Sequence, residues 1–317
     1  MSRDPSRSPA GGQPHLAGAG AMRRIELSLE PALPREGRVP CYVIGRPGAR
    51  WELLFLHGFG RRPTYYGRFL AACAARLDAR IAAPFLFGNG ALRHPPTSLA
   101  QSEALARAAL DALSSAAWGR SPEDLAQGPA RGLIVLGHSF GGMIAHRLAG
   151  VGPSAIAAIN PSLPVGYGLA GYARRSVRMA VRLQRRRFGP GAPADVLGLG
   201  AGIDFLGSVL RRPGAHARLL RALGRCRVRD FRPSSAGSGT PPMGMLVAAG
   251  DEFFQLDVEL EQELQRALSP YRIRRLPNLG SHEWLLLDPH LACAAVTALL
   301  GELVPGAAGG PMGGRGD

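Results

Sequence analysis

The stretch that most constrains this chain is Gly137-His138-Ser139-Phe140-Gly141-Gly142. It follows Leu133-Ile134-Val135-Leu136, a short apolar run that reads as a buried strand. It precedes residues 143–149, which read as a helix. A strand that enters a helix through a tight turn holds the turn's central side chain clear of both elements. Gly137 and Gly141, two residues either side of Ser139, let the backbone turn sharply without a Cβ clash. The helix that begins beside Ser139 brings unpaired N–H groups and the positive end of its dipole, so negative charge is favoured there. The turn is suited to present a serine hydroxyl where an anion can be stabilised.

Around this turn the hydrophobic pattern alternates between strands and helices. Residues 24–30 alternate as a half-exposed edge strand, and 39–44 form a second strand placed to pair with it as an antiparallel hairpin. Residues 51–56, 80–84, 155–159, 243–249 and 271–276 read as further strands; 65–77, 99–113, 257–268 and 291–303 read as helices. Such alternation predicts an α/β fold with a mainly parallel, twisted sheet and helices on both faces. The period breaks after Pro161 and resumes at Met243. Residues 163–240 therefore read as an inserted, mostly helical cap over the sheet's carboxyl end, between core segments 22–162 and 241–304. Residues 1–21 are rich in Ser, Pro, Gly and Arg, lack the apolar stretch of a signal peptide, and read as a disordered tail, with Met22 as an alternative start. The Gly-rich residues 305–317 read as a second disordered tail.

A serine hydroxyl is a poor nucleophile until a histidine removes its proton, and that histidine needs an acid to hold its tautomer. In an open α/β sheet such groups belong at the carboxyl ends of strands. Asp251 follows the strand ending at Ala249, and His282 lies in the loop after the last strand. Glu252 and Asp257 are the nearby rivals to Asp251.

The order Ser139, Asp251, His282 resembles that of the α/β-hydrolase family, in its serine-nucleophile, esterase- and lipase-like branch. Three further features carry the resemblance. His57-Gly58-Phe59-Gly60 resembles the family's oxyanion loop. Ile81-Ala82-Ala83-Pro84 with Gly88-Asn89-Gly90 resembles its next strand and turn. Leu285-Leu286-Leu287-Asp288-Pro289 resembles the segment after its histidine. The resemblance spans residues 24–303 apart from the cap. It implies Ser139 as nucleophile, His282 as general base and acid, and Asp251 as the acid that orients it, with the backbone N–H groups of Phe59 and Phe140 as the oxyanion hole. It implies cleavage of carboxylic esters or thioesters with no cofactor and no metal. Carbon–carbon bond hydrolases and acyltransferases share the same triad. A non-catalytic binding protein of this fold is disfavoured because all three triad positions are filled. Serine in place of aspartate disfavours the haloalkane dehalogenase and epoxide hydrolase branches. Ser281, between Gly280 and His282, is a slight departure from the family pattern. His57 and His138 read as structural, and His146 as helix surface or core.

Charge points to the substrate side. All 38 basic residues are arginine, and the net charge is +15. Residues 163–240 hold fifteen arginines and three aspartates, a surplus of 12 over the expected site mouth. Within them, residues 172–188 place Ala173, Val177, Ala180, Val181 and Phe188 on one helical face and Arg174, Arg178, Arg182 and Arg185 on the other. The simplest reading is a cap helix with a solvated arginine face. Peripheral contact with an anionic membrane surface, or with an acidic acyl carrier or coenzyme A thioester, is the functional alternative. No nucleic-acid motif accompanies the charge, and a small-molecule or lipid-like acyl substrate is the expected partner. Cys41, Cys73, Cys226 and Cys293 are scattered, so neither a disulfide framework nor a zinc site is suggested, and a reducing, cytoplasmic setting is the expectation. No run of 18 apolar residues occurs.

Overall fold

The computed structural model describes residues 22–29, 38–87, 92, 95–114, 132–163, 171, 174–175, 210–232, 240–251, 253–277, 279 and 282–305. Its strands are β1 (Arg23–Ser28), β2 (Arg38–Ile44), β3 (Trp51–Leu56), β4 (Ala79–Pro84), β5 (Leu133–His138), β6 (Ala155–Ile159), β7 (Met243–Ala248) and β8 (Tyr271–Leu276). Its described α-helices are α1 (Gly67–Leu77), α2 (Leu99–Ser114), α3 (Phe140–Arg147), α4 (Pro213–Gly224), α5 (Val258–Leu268), the single turn α6 (Trp284–Leu287) and α7 (Pro289–Leu303). The strands form one eight-stranded sheet in the order β1-β2-β4-β3-β5-β6-β7-β8. β1 pairs antiparallel with β2, and β2 antiparallel with β4. Every pairing from β4 onward across the sheet is parallel. β3, β4, β6 and β7 are buried at every position. That burial explains their mainly apolar composition, interrupted by Glu52 in β3 and Arg80 in β4, since a parallel sheet is covered on both faces.

The period-2 alternation of the strands divides the core. Leu53, Phe55, Ile134 and Leu136 pack on one face with α1 and α7. Leu54, Leu56 and Val135 point the other way, to a cluster with α2, α3 and α5. The layered α/β architecture is as expected. α3 starts three residues earlier than its apolar pattern predicts, because Gly141 and Gly142 hide the first turn from a hydrophobicity reading.

Of the expected cap, residues 210–232 are described together with positions 171, 174 and 175. The remainder, including most of the amphipathic 172–188 stretch, lies outside the described residues, as do 1–21 and 306–317. The described part holds α4 and a short 3-10 turn, Val228–Phe231. Leu219, Val228 and Phe231 join the core. The His216 ring lies 5.5 Å from that of Phe59. Among the described residues, no helix is long and apolar enough to cross a membrane.

Candidate active site

Ser139 sits between β5 and α3 at φ 54°, ψ −121°, a positive-φ backbone that costs a non-glycine residue of order 1–3 kcal/mol. The surrounding backbone holds it there. Its N–H donates to the Ile159 carbonyl at 3.0 Å, and its carbonyl accepts from Ser162 N at 2.9 Å and Met143 N at 3.2 Å. Its hydroxyl does not cap α3. The flanking glycines are sterically required. A Cβ on Gly137 would lie 2.3 Å from the Gly141 carbonyl oxygen, and one on Gly141 would lie 2.1 Å from that of Leu56.

The structure brings Asp251 and His282 together. Asp251 Oδ1 accepts from the N–H groups of Phe253 and Phe254 at 2.7 and 2.9 Å. Those two bonds aim Oδ2 at His282 Nδ1, 2.7 Å away. Both side chains are nearly excluded from solvent, 1% and 4% exposed. With Nδ1–H donating to the carboxylate, Nε2 is the nitrogen available to exchange a proton. The rings of Phe253, His138 and Phe254 lie 5.0, 5.0 and 5.4 Å from the imidazole. Asp257 is excluded as the partner of His282 because its carboxylate caps α5, accepting from Leu260 N at 2.8 Å. Glu252 lies outside the described residues.

The loop after β3 is tied down from several sides. His57 Nδ1 donates to the Gly58 carbonyl at 2.8 Å, and its Nε2 accepts from Leu86 N at 3.0 Å. Gly60, at φ 73°, donates its N–H to the Phe87 carbonyl at 3.0 Å. The loop lies directly on the serine: a Cβ on Gly58 would stand 3.3 Å from that of Ser139. The Phe59 and Phe140 rings meet edge to face at 5.9 Å. Ser139, Asp251, His282, Phe59 and Phe140 are thus gathered at the carboxyl end of the sheet. Among the described residues, no three His, Cys, Asp or Glu side chains form a metal-holding group.

Several supporting residues escaped the sequence reading. Asn160, at φ 41° after β6, accepts from Ala248 N at 2.8 Å and donates to the His282 carbonyl at 2.9 Å. A strand-end Asn, which tolerates positive φ, was the available signal. Tyr66 links Gly58 N to His138 Nδ1, at 3.2 and 2.9 Å, and His138 Nε2 reaches the His282 carbonyl at 3.2 Å. Arg61 and Glu283 form an ion pair across the site.

Burial lowers His57, His138 and His146 from 6.5 to about 4. His146 is a core residue, bonded to the Gly142 carbonyl at 2.8 Å and to the Tyr271 hydroxyl at 2.6 Å. These three histidines stay neutral in the fold down to about pH 4, whereas in the unfolded chain they protonate below 6.5. The unfolded state therefore binds more protons over that window. Stability should fall as pH drops from about 6.5 towards about 4, by about 1 kcal/mol per pH unit for each histidine. Urea unfolding at about pH 7, 6 and 5 measures the slope, and a flat profile would contradict the assignment.

The sequence profile of the alpha/beta hydrolase family matches residues 53–296. The chain belongs to the alpha/beta hydrolase family. Solved structures agree on the fold. A carboxyl esterase from the mycorrhizal fungus Tuber melanosporum shares 15% identity, with 92% of this chain and 87% of that one covered, at a TM-score of 0.55. An alpha/beta hydrolase fold protein from Chitinophaga pinensis shares 17%, covering 88% and 96%, at 0.56. A thermophilic esterase from Thermogutta terrifontis shares 18%, covering 89% and 99%, at 0.53. No curated protein sequence matches the chain significantly.

Proposed function

We propose that this family member is a serine hydrolase that cleaves carboxylic esters or thioesters through an acyl-enzyme. The observation that carries the reading is the buried His282–Asp251 pair at 2.7 Å, at the same sheet end as the strained Ser139 turn. In this reading Ser139 Oγ attacks the acyl carbonyl while His282 Nε2 takes its proton. Negative charge builds on the carbonyl oxygen and is met by the N–H groups of Phe59 and Phe140. The carbon–oxygen or carbon–sulfur bond then breaks as His282 returns the proton to the leaving group. Water, deprotonated by the same histidine, releases the acid. Asp251 stays ionised throughout and stabilises the imidazolium.

Phe253 and Phe254 against His282, and Phe59 on the loop over Ser139, make the surroundings of the site apolar, which favours an apolar acyl group. Turnover of p-nitrophenyl esters of graded acyl length tests the proposal. Folded wild type should hydrolyse them, preferring medium chains over acetate. Asp251→Asn should lower kcat about 10⁴-fold with KM little changed, because the amide holds the wrong tautomer. An Asp251→Asn enzyme with undiminished kcat, or wild type inert to every ester and thioester, would overturn it.

A further inference from the structure

Phe59 lies on the loop after β3, and His282 on the loop after β8, at opposite ends of the sequence. One ion pair joins the two loops. Arg61, two residues beyond Phe59, donates from Nε and Nη2 to Glu283 Oε1 at 3.1 and 2.9 Å. Glu283 directly follows His282. The pair is largely removed from water, with Arg61 17% and Glu283 3% exposed. A buried ion pair gains little net stability, because desolvating two charges offsets most of their attraction. Its placement therefore calls for another explanation.

On the hydrolase reading above, we propose that Arg61 and Glu283 are positioning residues: they hold the oxyanion loop and the histidine loop in mutual register and set the electrostatic field at His282. The clip has an opposing anchor. Gly60 N–H and His57 Nε2 fasten the far side of the oxyanion loop to Phe87 and Leu86. Arg61 fastens its near side to the residue beside the base. Small errors in such register are costly, since a displacement of about 1 Å can lower a rate about 10²-fold.

The field has a definite sign. Burial alone would raise the Glu283 carboxyl, but Arg61, then His138 and His282, outweigh it and hold it below the ordinary carboxylate range. The ionised Glu283 adjoins His282 in the chain and is electrostatically coupled to it; Asp251 holds Nδ1, the neutral His138 ring lies 5.0 Å from the imidazole, and neutral Tyr66 and cationic Arg61 are bonded to His138 and Glu283 in turn. Glu283 therefore favours the imidazolium and Arg61 opposes it. Removing Glu283 alone leaves Arg61 unbalanced and should lower the midpoint at which His282 protonates. Removing both should return it part-way.

The test compares Glu283→Gln, Glu283→Asp and the Glu283→Gln/Arg61→Met double variant with wild type. Two readouts are taken on folded protein: the pH dependence of fluorophosphonate labelling, and the NMR titration of the His282 ring, identified by its loss in His282→Asn. Glu283→Gln should label about 10- to 100-fold more slowly, with its acid limb and the His282 midpoint lower by about one pH unit. The double variant should remain slow while its midpoint recovers. Glu283→Asp, which keeps the charge but shortens the reach, should keep the midpoint and lose rate, and it decides the case if Glu283→Gln does not fold. Unchanged rate and midpoint in folded Glu283→Gln overturn the proposal. So does the same midpoint in all variants, which would reduce the pair to a fold staple. Wild type that resists labelling would remove the hydrolase reading, while the NMR midpoints would still judge the electrostatic claim.

Discussion

Ser139→Ala is expected to lower kcat/KM for any accepted ester by roughly 10⁴- to 10⁶-fold, with the fold intact. The substitution deletes one oxygen that does not cap α3, and the bonds holding the turn are backbone bonds from residue 139 to Ile159, Met143 and Ser162. The imidazole keeps its carboxylate and the loop after β3 keeps its anchors, so binding should persist while chemistry stops. Circular dichroism and melting temperature should match wild type. Loss of activity with loss of structure would not support the assigned role, whereas retained turnover in a folded variant would refute it.

Gly141→Ala should have the largest effect on stability, about 3 kcal/mol or more, or should prevent folding. Its Cβ would stand 2.1 Å from the Leu56 carbonyl oxygen, 2.5 Å from the Leu56 carbonyl carbon and 2.6 Å from the His57 carbonyl oxygen. All three are backbone atoms at the end of β3, where no rotamer can relieve the clash. The closeness also presses the start of α3 against the loop that carries Phe59. Gly152→Ala is the control. Gly152 has φ 80°, but a Cβ there meets nothing within 4 Å. Its cost should be only the backbone preference, about 1 kcal/mol. Denaturant unfolding of the two variants separates steric from conformational cost; equal losses would contradict the close-approach account.

Much of this is visible in local sequence because the physics is local. Gly137 and Gly141 are required by contacts within the turn and at the adjoining strand end. The unbroken apolar runs of β6 and β7 report a sheet covered on both faces. The ends of β5, β7 and β8 place Ser139, Asp251 and His282 without knowledge of their contacts. Asp257 could have been set aside on sequence grounds, since an aspartate ahead of an amphipathic run is a helix cap. Other features have no local signature. Arg61 and Glu283 are 222 positions apart, and each taken alone is an ordinary charged residue beside a loop. Asn160 takes up its bracing role only once β6 and β7 lie side by side. In residues 163–240 the charge and the helical spacing of 172–188 are legible, while most of the segment lies outside the described residues.

On the proposed mechanism, Ser139 is a nucleophile activated by His282. Its most direct measurement is labelling of the folded protein with a fluorophosphonate, followed by intact mass and peptide mapping. One adduct per chain is expected, on Ser139, absent from Ser139→Ala and strongly slowed in His282→Ala. Folded wild type that takes no label, or takes it on another residue, would contradict it.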